Sequence, residues 1–345
     1  MKREEYLRDL KLKLEQDDFA QVEQAIAYFN DLLEDRMADE GMDEDTAVAS
    51  MEPIEKVVAQ LRENPAQRRT GIGSEPLVPG VRTINARADQ VRHIHVRDRN
   101  MRLRVIGEER EDILIRHPES EKVRYQFTLK DGSLSLIRED LPITWQLFVL
   151  DSLAREMREV ILSVPRDLAA EMDLRTSNAR LTLDDVTLWG KITAATSNAA
   201  LGLSHVSAKS MALKTSNGTL LLTGVSAQLE LKATTSNAKL QVQGAASPIL
   251  NLKTSNGTIN VESLRSDDIT LTTSNGSVKG ELNGKMADWS ISSRTSNGKN
   301  SLPPMSQGGG KRLSAHTSNA SIQLKFASDA VADPPEARPS PDGFH

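Results

Sequence analysis

At 345 residues the chain is long enough to bury sizeable cores without a covalent staple, and with no cysteine it has none. Its net charge of −5 hides a split, because residues 1–64 hold 8 Lys and Arg against 18 Asp and Glu, which leaves the remainder basic. No window approaches the ~20 apolar residues of a membrane-spanning helix, and the charged opening "MKREEYLRDLKLKLEQ" is unlike an apolar signal peptide, so the cytoplasm is the expected compartment.

The acidic head reads as helices. Tyr6, Leu7, Leu10 and Leu14 fall at helical spacing, and a second pattern runs through Phe19, Val22, Ile26, Phe29, Leu32 and Leu33 until Gly41 stops it. "MDEDTAVASM" suggests a short third helix, and Pro53 opens a fourth in "PIEKVVAQLREN". Residues 1–64 are expected to form a small helical bundle, and 65–80, "PAQRRTGIGSEPLVPG", a linker. From Val81 the pattern alternates, as in "HIHVRDRNMRLRVIG" and "KVRYQFTLKDGSLSLI", which predicts strands over 81–170. Within them "ITWQLFVLDSLAREMREVIL" reads as a loop with one helical turn before a strand at "EVILSVP". Residues 327–345, Pro-rich and polar, are expected to be a disordered tail.

Between them, over 171–326, Thr-Ser-Asn followed by Gly or Ala occurs eight times, at Asn178, Asn198, Asn217, Asn237, Asn256, Asn275, Asn297 and Asn319. A period of 19–22 residues marks a solenoid. Six residues before each asparagine stands a large apolar residue, from Met172 through Leu250 to Leu313. Three and five after it stand others, such as Leu181 and Leu183, with Asn300 and Gly280 as exceptions. The inward parity changes at the asparagine, so a corner sits there, and asparagine is expected to take its left-handed conformation. Stacked rungs ~4.8 Å apart would let the amides bond along the axis as a ladder. Crowding explains the small following residue, and inward parity lets the Thr bond near the corner. Opposite parity at Val186, Val206, Val225, Ala245 and Leu264 requires a second corner. The fold expected is mainly β, a single-chain parallel β-solenoid of about eight coils over 81–326.

These "TSNG" and "TSNA" coils, entered through "VILSVPRDLAAEMDLRTSN", resemble the bacterial β-solenoid family labelled "putative adhesins". The head, "REEYLRDLKLKLEQ" through "DEDTAVASMEPIEKVVAQL", is similar to the small helical HAAS-type signalling domain, although the Leu-Gly-x-Pro turn of that family reads Ser50-Met51-Glu52-Pro53 here. That resemblance implies a partner in signalling or transcription regulation. Neither family implies an enzymatic activity or a cofactor.

His93 and His95 share a strand face, but no third ligand is near in sequence, and six histidines make a chance pair ordinary. Phosphate loops, nucleophile elbows and zinc spacings are absent. A basic run from Arg82 to Arg104 meets only Asp89 and Asp98. Three residues before the asparagines come Arg175, Lys214, Lys253, Arg294 and His316, facing outward on roughly alternate coils. Such a stripe suits a polyanion, a membrane surface or the acidic head, beside its ordinary use as a solvated face. The expected function is non-enzymatic binding or scaffolding, with a surface adhesin as the alternative and an enzymatic site on the solenoid face as a remote one.

Overall fold

The computed structural model describes residues 2–16, 22, 23, 25, 26, 29, 30, 33, 43–49, 51, 53–62, 80–120, 123–139 and 159–327. The expected linker up to residue 79, the helical turn within 140–158 and the tail from 328 lie outside the described residues. In the head, helices span Arg3–Gln16, Glu44–Ala49 and Ile54–Arg62. Tyr6, Leu10 and Leu14 fall on one face four residues apart and pack with Phe29, Leu33, Val48 and Val57 in a cluster that shares no member with the larger apolar cluster of the β body. Asp43 Oδ1 accepts the Thr46 amide at 2.7 Å, satisfying a first-turn N–H of the helix Glu44–Ala49.

The leading strands are β1 (Gly80–Arg87), β2 (His93–Arg97), β3 (Arg102–Glu108), β4 (Asp112–Glu119), β5 (Tyr125–Lys130), β6 (Ser133–Arg138), β7 (Glu159–Pro165), β8 (Asp167–Leu168) and β9 (Glu171–Arg175). They open two large sheets. One runs β1-β4-β7-β3 and the other β5-β6-β2-β9 before the repeats continue both. β5 and β6 form a hairpin through Asp131 and Gly132, both left-handed, as a two-residue turn requires.

From β2 and β3 onward each repeat adds one parallel strand to the sheet of β2 and one to the sheet of β3, except that the Asn297 repeat meets the latter only through a single bridge from Asn300 to Ile322. In the first, Ile94, Met172, Ile192, Met211, Leu231, Leu250 and Ile269 stand in register. In the second, Leu103, Leu181, Leu201, Leu220, Leu240, Ile259 and Val278 do the same. Each of these side chains is buried, so apolar residues stack on their equivalents throughout a solenoid-like body. Each burial contributes about 1.5–3 kcal/mol before entropy is counted. A short third side pairs Asp167, Thr187, Ser207 and Ser226 in turn.

One expectation needs correcting. The repeat asparagines are not left-handed. That conformation belongs to the next corner, seven residues on, at Asp185, His205, Gly224, Gly244 and Ser263, with φ of 57°, 52°, 60°, 68° and 55°. The reason lies in the amides at the first corner. Ser197 and Asn198 both donate to the Ser177 carbonyl, and Ser216 and Asn217 to that of Ser197, so backbone bonds along the axis close the turn with ordinary φ.

The coil order is also not the chain order. Lys311–His316 lies between Asp268–Thr272 and Trp289–Arg294, so the last repeat inserts ahead of the one before it. Trp289–Arg294 then ends its sheet against the antiparallel Met305–Ser306, after Pro303 and Pro304, a short edge that resists further pairing.

Candidate binding surface

The corner is built from the inside outward. Thr176, Thr196, Thr215, Thr235, Thr254, Thr273 and Thr317 are buried. A hydroxyl there needs partners, and the preceding coil supplies them: Thr196 Oγ1 is 3.1 Å from Ser177 O and 3.3 Å from Ala179 O. Where Gly follows the asparagine the hydroxyl also accepts that residue's amide, as from Gly257 to Thr254 at 3.1 Å. A Cβ on Gly218 or Gly257 would stand 1.6 Å from the carbonyl oxygen of Ala199 or Ala238, so the backbone itself crowds the position.

The asparagine side chains form one chain of hydrogen bonds along the outside of the corner. Each Nδ2 donates to the Oδ1 of its neighbour: Asn198 to Asn178 at 2.8 Å, Asn217 to Asn198, Asn237 to Asn217, Asn256 to Asn237 and Asn275 to Asn256 at 2.6–2.7 Å. The inverted order carries through, since Asn319 donates to Asn275 at 2.6 Å and Asn297 to Asn319 at 2.8 Å. At the other end Asn178 donates to Asn100 at 2.9 Å, a member that lies outside any Thr-Ser-Asn motif. Its signal was present: Ile94 stands six before it, with Leu103 and Val105 three and five after.

Asp98 there takes the threonine's place. The rung beyond β2 is β6, which brings no Thr-Ser-Asn corner, and the inward group accepts instead, from the amides of Asn100 at 2.7 Å and Met101 at 2.6 Å and from the Tyr125 hydroxyl at 2.5 Å. Arg138 Nη1 lies 3.5 Å from the same carboxylate, which is fully buried. Burial, with the Asp98 charge beside it, pushes the Tyr125 phenol well above its ordinary pKa.

One position before the Thr runs a row on the outer face of the sheet. In register it reads Arg97, Arg175, Ala195, Lys214, Thr234, Lys253, Thr272, His316, Arg294. It contains no carboxylate. The expected stripe residues all fall on it, joined by Arg97, but the alternation fails at both ends. Arg175 follows Arg97 directly and bonds Asp173 at 3.1 Å, and Arg294 sits beside His316 because the coil order is inverted. Lys214, Lys253 and Arg294 are exposed and have no ion partner among the described residues.

The two strand histidines face carboxylates across the rung, His95 Nδ1 at 3.4 Å from Asp173 and His93 Nδ1 at 3.7 Å from Glu171. The bond from His95, supported by Arg175, holds Asp173 down at about 2. Among the described residues no group of three His, Asp or Glu side chains is placed to hold a metal, and no helix is long and apolar enough to cross a membrane.

Residues 91–329 match the Toastrack DUF4097 family. Among solved structures, a "putative cell adhesion protein" from Clostridium sporogenes is 12% identical, over 72% of this chain and 100% of that one, with a TM-score of 0.25. A "putative adhesin" from Parabacteroides merdae is 11% identical over 72% and 96%, at 0.32, and one from Bacteroides fragilis 11% over 73% and 100%, at 0.27. No curated protein matches the chain.

Proposed function

The chain belongs to the Toastrack DUF4097 family, and on that premise we propose that it is a non-enzymatic binding protein whose solenoid-like body offers a cationic row to a polyanionic partner. The observation that carries this reading is the row from Arg97 to Arg294, in which cations recur in register and carboxylates do not. Lys214 and Lys253 are two strands apart, about 9.6 Å from the strand spacing, on a backbone whose hydrogen bonds leave little freedom to lose on binding. The acidic head, read as HAAS-like, extends the proposal: it would be a separate protein-binding end, and its separate apolar cluster supports that division.

Heparin, as a linear polyanion, tests the row. The Lys214→Glu, Lys253→Glu double variant is expected to bind at least about tenfold more weakly, with a shallower salt dependence, because fewer counterions are displaced. Unchanged affinity and salt slope in a folded double variant would remove the row from the function.

A further inference from the structure

We propose a second, smaller site at the β2–β3 end of the asparagine ladder, built to take a hydroxylated oxyanion of the sugar-acid or sugar-phosphate class. The ladder has a direction. Every Nδ2 donates toward Asn100, so the amide dipoles add as they do in a helix, with the positive end at Asn100. The Asn100 Nδ2 itself has no acceptor among the described residues. Asn100 lines a depression of about 740 Å³, whose walls also include Arg102, Arg104, Arg180, Glu159 and Asp184.

The arginines are the second observation. Arg102 and Arg180 occupy the same position, two after the asparagine, on strands paired Leu103 to Leu181, so two like charges stand on adjacent rungs. Both are exposed, and neither has an ion partner among the described residues; Glu159 is in register with Arg102 without pairing to it. The equivalent position holds Ala200, Thr219, Thr258, Ser277 and Ser321 in five later coils and single lysines, Lys239 and Lys299, in the other two, so the corner does not need a cation there. Like charges side by side on a sheet are destabilising unless something sits between them. A bound anion receiving two guanidinium forks and the terminal amide would be that group.

The remaining walls narrow the class. Asp184 lies 3.7 Å from Arg104 and keeps it on its own side, while Asp184 and Glu159 offer acceptors that repel a bare anion and suit hydroxyls. The volume falls within the range of small-molecule sites and well above a phosphate ion, and its walls are polar, so an apolar ligand gains little there. An oxyanion on a polyol satisfies both the donors and the acceptors.

The test is calorimetric titration of the full chain with glucose 6-phosphate, glucuronate, inorganic phosphate and glucose. Both sugar anions are expected to bind with Kd below about 1 mM, and phosphate and glucose each about tenfold more weakly. Arg180→Met and Arg102→Met should each weaken sugar-anion binding about tenfold without lowering the melting midpoint, since each removes one of two like charges. Lys214→Ala with Lys253→Ala should leave it unchanged. Absence of sugar-anion binding, equal affinity for inorganic phosphate, retention of binding in both arginine variants, or its loss in the lysine variant would each overturn the proposal; the last would place the anion on the cationic row.

Discussion

Replacing Thr254 by valine keeps the shape of a buried side chain and deletes a hydroxyl that serves the corner in both directions. Its Oγ1 donates to the carbonyls of Ser236 and Ala238, each at 3.3 Å, and accepts the amide of Gly257 at 3.1 Å. The substitution therefore removes one shared donor, worth about 1 kcal/mol, and orphans a buried N–H, worth about 1–3 kcal/mol more. Thr235 supplies the control. It is equally buried and donates to Ser216 at 3.4 Å and Gly218 at 3.2 Å, but the residue after its asparagine is Ala238, whose amide does not use the hydroxyl. Thr235→Val should then cost about 1 kcal/mol and Thr254→Val about 2–4, with the methyl's contact against the carbonyls nearly cancelling in the difference. Urea unfolding of both variants, compared at equal slope, reads that difference. Equal midpoints would show that the Gly257 amide finds another partner and that the account of the glycine corners is wrong.

Asn256→Ala is expected to cost only about 1 kcal/mol, less than a left-handed, buried asparagine would imply, because its two side-chain bonds are exposed and its φ is ordinary; denaturation midpoints check it, and a loss above about 3 kcal/mol would contradict this corner geometry. His205→Gly should be neutral to stabilising by up to about 1 kcal/mol, since φ of 52° suits glycine as at Gly224 and Gly244, whereas a clear loss would mean that the imidazole holds the corner. Asp173, held to about 2 chiefly by the His95 bond, contributes stability that is full above the ordinary carboxylate pKa and lost as pH falls toward 2, so Asp173→Asn should flatten the acid limb of the melting profile between those values. His117, whose pKa burial lowers, has linkage of the same sign in a higher window: below about 6.5 the unfolded chain takes up a proton that the folded one refuses, and His117→Gln should lose less stability between pH 8 and 5 than the parent. Deleting residues 1–64 should leave the β circular-dichroism signal and a cooperative melt, given the separate apolar clusters.

The stacked core could be read directly from the chain because its cause is local and repeated. An apolar residue at −6, +3 and +5 from the asparagines, Asn300 and Gly280 excepted, has one way to be buried, and Met172, Leu181 and Leu183 with their apolar equivalents are buried in that way. Asn100 obeys the same rule without the motif and was recoverable from Ile94, Leu103 and Val105. Asp98 was not, because a carboxylate replaces the threonine where the rung beyond is the β5–β6 hairpin rather than a Thr-Ser-Asn coil, and the sequence does not say what lies beyond the first coil. The left-handed corner escaped for a related reason. Asparagine's intrinsic preference was outweighed by two amides converging on one carbonyl of the next rung, a bond that exists only after stacking.

The order of the last two coils depended on tertiary contacts in the same way. Parallel strands with interchangeable inward residues pair almost equally well in either order, so the repeat carries no ordinal. Contacts peculiar to that end accompany the observed arrangement: Arg312 bonds Asp268 at 2.6 Å, the buried Trp289 meets Phe326 with rings 6.3 Å apart, and Lys311 lies 5.4 Å over its indole. Local periodicity dictates what a coil is, while the neighbours of a coil are chosen by side chains that do not repeat.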